Sequence, residues 1–160
     1  MPPAQRRDRI RRALSEWPFL IKGPSEPLVD LCDMALMHDS YVNELRDRDP
    51  SRGLRDNERL EFLGDAVLEL IVRESLFLSS DMREGDMTLA MQSLISNASL
   101  ASRLRESPLD LEALVLTGEG HDALSDRMLS GAFEAIVGAL YLGAGLATAR
   151  MVCRRMLGLS

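Results

Sequence analysis

Residues 57–69 read NERLEFLGDAVLE, and the spacing of their carboxylates bears on both fold class and chemistry. At about 100° per residue, Glu58, Glu61, Asp65 and Glu69 fall within roughly 80° of one another on a helix and form one acidic stripe. Leu60, Phe62, Leu63, Ala66, Val67, Leu68, Leu70, Ile71 and Val72 surround that stripe on both sides. A helix apolar over so much of its circumference is expected to be buried, where carboxylates are costly unless protons, partners or metals compensate. No Lys or Arg stands three or four residues from Glu61 or Asp65 to neutralise them. A divalent cation would do so: Mg²⁺ binds through oxygen, usually by a few carboxylates plus water and substrate phosphate. Phosphodiester hydrolysis is a natural use of such an ion. The alternative is a solvated helix face.

Outward from this stretch the chain reads as helices. Its 160 residues are 46% hydrophobic, enough for one soluble domain with a core of useful size, and only 4% aromatic. Helix formers dominate over the β-branched and aromatic residues of strands, so an all-α fold is expected. Ile10, Ala13 and Leu14 among arginines predict an amphipathic helix over 6–17, and Gly23, Pro24 and Pro27 mark a turn whose Ser25 can cap a helix over 28–37. The charged stretch 46–56, with Pro50 and Gly53, reads as a solvated loop. A long helix follows, capped by Asp56 or Asn57 and running to about Leu78. Further helices are expected over 86–105, 127–142 and 147–157, with a mobile loop over 116–125 between the first two.

Apolar runs are too short to span a bilayer and the start has no signal-peptide core, which makes the cytoplasm the default location and excludes a membrane partner. Cys32 and Cys153 match no metal-ligand spacing and read as core residues, with a disulfide as the lesser alternative. The net charge of -6 argues at first against a polyanionic partner, but carboxylates gathered to hold cations make the bare protein acidic, and bound metal reverses the local sign.

A second segment matters. SGAFEAIVGALYLGAG, residues 130–145, places Glu134 among Gly131, Ala132, Ala135, Gly138 and Ala139, small enough to let another helix approach closely and bring Glu134 beside Glu61 and Asp65.

With these residues in view, NERLEFLGDAVLEL resembles the signature of the ribonuclease III endonuclease domain. ALMHDSYVNE before it, EGDM at Glu84 to Met87 after it, and GAFEAIVGALYLGAG near the end recur in the family's order, so the resemblance runs from about residue 26 to residue 145. It implies one helical endonuclease domain over 1–160. It implies a homodimer whose subunits form a valley for double-stranded RNA, and one Mg²⁺-dependent site per subunit, with Mn²⁺ as an alternative. Glu61, Asp65 and Glu134 match the family's metal and catalytic positions, Glu58 and Glu84 its accessory acidic positions, and Phe62 an aromatic residue that inserts into the partner subunit. On the pattern alone, Phe62 would be a core residue.

Two departures stand against that pattern. The family carries a metal-ligating Asp three residues before the matching Glu, and here that position is Gly131; water, Asp126 or a neighbouring carboxylate would have to substitute. Gly131 therefore opens a second reading, a catalytically impaired module for RNA binding or dimerisation. The chain also ends at Ser160 without the basic RNA-binding domain that often follows in the family, which predicts weaker affinity for generic duplex. Arg6, Arg7, Arg9, Arg11 and Arg12 could touch phosphate or merely solvate their helix, and Arg103, Arg105 and Arg127 are further candidates that no pattern singles out. His38 reads as structural, and His121 as a solvated loop residue.

Overall fold

A computed structural model describes residues 3–51, 53–121 and 123–159; Arg52 and Asp122, which fall in the two expected loops, and both chain ends lie outside the described residues. Those residues form α1 (Pro3–Ser15), α2 (Glu26–Ala35), α3 (Asp39–Arg48), α4 (Glu58–Ser79), α5 (Glu84–Ile95), α6 (Asn97–Glu106), α7 (Asp126–Ala144) and α8 (Leu146–Leu157). The all-α expectation holds, the one extended contact among the described residues being an isolated parallel bridge of Met37 with Leu116. No helix among the described residues is long and apolar enough to cross a membrane.

Local chemistry explains most boundaries. Ser25 caps α2 by accepting from the Leu28 N–H, as its sequence predicts. At the start of α4 the cap comes from Asp56, whose carboxylate accepts from the Glu58 N–H, while Asn57 makes no side-chain cap bond. Two expectations need correction. The loop expected over 46–56 loses its first three residues to a helix over 39–48, of which only Val42 is buried, so no apolar stripe announces it; His38 caps it by accepting from the Ser40 N–H. The stretch 86–105 is two helices, because the Ser96 hydroxyl accepts from the Ser99 N–H and starts a new one.

The core is organised around α7, whose residues Leu129 to Leu140 are buried except for Glu134. α4 crosses α7 at backbone contact. A Cβ at Gly64 would lie 1.7 Å from the Glu134 carbonyl oxygen, and one at Gly138 would lie 2.4 Å from that of Leu60. The small residues around Glu134 thus serve the close approach expected of them. Cys32 and Cys153 are buried and unbonded, and burial pushes both thiols up to about 12, so they act as apolar filler.

α1 lies against α2 through its arginines. Arg6 pairs with Asp33, Arg7 with Asp30 and Glu26, and Arg11 with Asp8 and Glu26, while Arg9 donates to the Ala113 carbonyl. Beneath them Ile10 and Leu14 are buried.

The burial expected all round α4 does not occur. Leu60, Gly64, Val67, Leu68, Ile71, Val72 and Leu76 face inward, but Phe62 is 84% exposed and Leu70, Phe77 and Leu78 also project into solvent. A monomer gains nothing from so many apolar side chains in water, and such a surface marks a contact with another molecule. Phe62 is therefore not a core residue.

Candidate active-site cleft

Beside the α4–α7 crossing lies a cleft of about 510 Å³. From α4 come Glu58, Glu61, Phe62 and Asp65, from α7 come Arg127, Met128 and Glu134, and the start of α3 adds His38 and Asp39. The helical repeat explains the grouping: residues 58, 61 and 65 share one face of α4, and residues 127, 131 and 134 one face of α7. The expectation that close packing would carry Glu134 to Glu61 and Asp65 is met.

The carboxylates disturb one another. Burial raises the Glu61 carboxyl above its ordinary range, with Glu58 and Asp65 adding to the effect while Arg127 and His38 oppose it. Asp65 is raised by burial and then by Glu69. Glu134 is pushed up to about 7, first by burial, then by Asp65 and Glu61. These groups are held where negative charge is poorly solvated, and α7 supplies one cation that the spacing on α4 could not reveal. Glu69 pairs with Arg73, one turn along, at 3.1 Å, and lines a neighbouring groove with Asp65 and Glu134. Glu84, at the first position of α5, is exposed and does not line the cleft, because its helix begins beyond the end of α4.

At position 131 the missing side chain has a consequence. A Cβ there would meet Glu61 Oε2 at 2.8 Å and its Cδ at 2.9 Å, so the Glu61 carboxylate rests over bare helix backbone where a longer residue would stand. Asp126 does not substitute: its carboxylate accepts from Arg105 at 2.6 Å, outside the cleft lining. Hard oxygen donors that repel one another suit a divalent cation. Even so, among the described residues no three His, Cys, Asp or Glu side chains converge closely enough, as they stand, to hold one.

Other lining residues were not singled out by the sequence. His38 keeps its structural part as the α3 cap and meets the His121 ring edge-on, centroids 6.0 Å apart, while also facing the cleft. Arg127 had a signal in its four- and seven-residue spacing from Gly131 and Glu134, but that spacing gains meaning only once α7 is known to border a site.

Comparison with known proteins agrees with this architecture. Residues 29–159 match the family model described as ribonuclease-III-like. The chain is 45% identical over 128 residues to the Ribonuclease 3 of Oleidesulfovibrio alaskensis, covering 76% of this chain and 52% of that protein. Against the Ribonuclease 3 of Shouchella clausii it is 44% identical over 128 residues, covering 77% and 47%. The chain thus spans about half the length of the curated relatives it matches. The nuclease domain of ribonuclease III from Campylobacter jejuni superposes with a TM-score of 0.72 at 30% identity, covering 94% of each chain; that structure concerns flexibility in a region involved in dimer formation. A second structure of the same nuclease domain gives a TM-score of 0.71 at 29% identity, covering 98% of this chain and 95% of the other.

Proposed function

Because the chain belongs to the ribonuclease III family, we propose that it is a Mg²⁺-dependent endoribonuclease that hydrolyses phosphodiester bonds in double-stranded RNA, acting in the cytoplasm as one catalytic domain over residues 1–160. The observation that carries this reading is the cleft in which Glu134 of α7 faces Glu61 and Asp65 of α4, all three held above their ordinary proton affinity.

Glu61, Asp65 and Glu134 are the residues that would hold the cation, Mg²⁺ or alternatively Mn²⁺. When bound, the ion supplies an activated water and offsets the charge that develops on the phosphate. The chain's own groups do the rest. The Glu134 carboxyl, pushed up to about 7, would have to lose its proton to serve as a ligand. Glu58 adds a further carboxylate to the lining, and Phe62 adds an aromatic side chain to it. The exposure of Phe62, Leu70 and Phe77 supports a homodimer in which this surface is buried, each subunit cutting one strand of the duplex.

Incubation with duplex RNA and Mg²⁺ or Mn²⁺ tests the activity. Internal cleavage is expected, and Glu134→Ala is expected to abolish it, which separates it from a contaminating nuclease. Intact RNA at high concentrations of folded protein overturns the activity. A solution mass corresponding to one chain overturns the dimer.

Gly131 favours a second reading, a catalytically impaired relative that retains RNA binding or dimerisation. Its support is the missing side chain at a position where the family carries a ligand. That reading predicts duplex binding without turnover.

A further inference from the structure

A cleft lined by Asp39, Glu58, Glu61, Asp65 and Glu134 repels the phosphates of a nucleic acid, so some cation must offset them at the point of contact. Most arginines that the sequence offers for this are already engaged. Arg6, Arg7 and Arg11 are paired with the acids of α1 and α2, Arg9 donates to the Ala113 carbonyl and Arg103 to that of Leu157, and Arg105 is shared between Glu112 and Asp126. Arg55 and Arg59 line a separate cleft with Leu31, Met34 and Leu142.

Arg127 differs from all of these. It lines the acidic cleft, it is exposed, and among the described residues its guanidinium has no hydrogen-bond or ion-pair partner. It shares the cleft lining with Glu61. Gly131 lies one turn further along the same face of α7. A carboxylate at 131 would stand at the four-residue spacing at which Arg and Asp pair on a helix, whereas glycine leaves the guanidinium unclaimed. The missing acid and the unpaired base are therefore one feature of the cleft.

We propose that Arg127 is the residue through which this cleft holds a backbone phosphate of duplex RNA, a positioning role that rests on the ribonuclease reading above. The guanidinium keeps its charge at all relevant pH and presents a planar fork that matches two phosphate oxygens. Because the same guanidinium shares the cleft with the carboxylates that would hold a cation, its like charge would repel that cation, and its removal is expected to change the two ligands in opposite directions.

The test uses the whole chain, a blunt duplex RNA with Ca²⁺ in place of Mg²⁺ to prevent cleavage, and separately Mn²⁺ alone, followed by electron paramagnetic resonance. Arg127→Met keeps the aliphatic stem. It is expected to weaken duplex binding roughly tenfold at low salt and to lower the slope of log affinity against log salt by about one phosphate contact. Mn²⁺ binding by the same variant should tighten several-fold, and Arg127→Lys should restore the salt slope. Unchanged duplex affinity and slope in Arg127→Met overturns the assignment while leaving the ribonuclease reading intact. Loss of both ligands together indicates a merely structural residue and also overturns it. If the wild-type chain binds no duplex at all, the assignment and the ribonuclease reading fall together.

Discussion

Gly64 and Gly131 both sit where α4 meets α7, yet they are glycines for different reasons. At Gly64 the obstacle to a side chain is the Glu134 carbonyl oxygen, 1.7 Å from where a Cβ would be, and helix backbone cannot give way. At Gly131 the obstacle is the end of the Glu61 side chain, which can rotate. One glycine lets two helices join; the other leaves space for a functional group. The crossing is thus rigid in its backbone and adjustable in its cleft, and Glu134 spans the two, with its carbonyl in the joint and its carboxylate in the site. Gly64→Ala should therefore have the largest effect on the fold, about 3 kcal/mol of destabilisation or more, at or above the top of the usual range for overpacking because the obstacle is backbone. Urea unfolding measures it, and a loss below about 1 kcal/mol would mean that the helices can separate cheaply.

Glu134→Gln separates the two regions within one residue, because it keeps the carbonyl in the joint and removes the charge from the cleft. Cleavage should fall at least about a hundredfold, the scale expected for a group acting directly on the reaction. Stability should move the other way, and the sign follows from proton binding. The carboxyl titrates near 4.5 ordinarily and about 7 in the folded chain, so the native state binds the proton more tightly. That contribution is fully present below pH 4.5 and is lost as pH rises through 7. In chelator, the glutamine variant should therefore match the wild type near the acid end and exceed it on the alkaline side by on the order of 2 kcal/mol. A difference that does not change with pH would show that the cleft is not crowded with charge.

The sequence revealed the joint more readily than the cleft. The small residues around Glu134 announce close packing, since Ala135, Gly138 and Ala139 stand together on one helix, and the acidic stripe of α4 follows from the helical period alone. What stayed hidden depends on partners distant in the chain. α3 buries only Val42 and so carries no periodic signal, and a serine cap at Ser96 breaks an otherwise continuous apolar pattern. The arginine run of α1 looks like a phosphate-binding surface until Asp30, Asp33 and Glu26 of α2 are found opposite it. Phe62, Leu70 and Phe77 carry the pattern of a core, because a surface kept for another molecule has the composition of an interior.

The smallest effects are expected at Gly131, and they decide which reading of the cleft survives. Gly131→Ala replaces glycine within a helix by its best former, worth up to about 1 kcal/mol, against the cost of moving the Glu61 carboxylate aside. Stability should then change by less than about 1 kcal/mol, in contrast to Gly64→Ala, while cleavage falls because Glu61 is displaced. Gly131→Asp places a carboxylate in the same volume. If Glu61 already does the work of the absent ligand, the new group competes with it and with the freedom of Arg127, and cleavage should change by no more than a few-fold. A gain of tenfold or more would instead mean that the space over Gly131 is a lost ligand position, and the impaired reading of this chain would be the correct one.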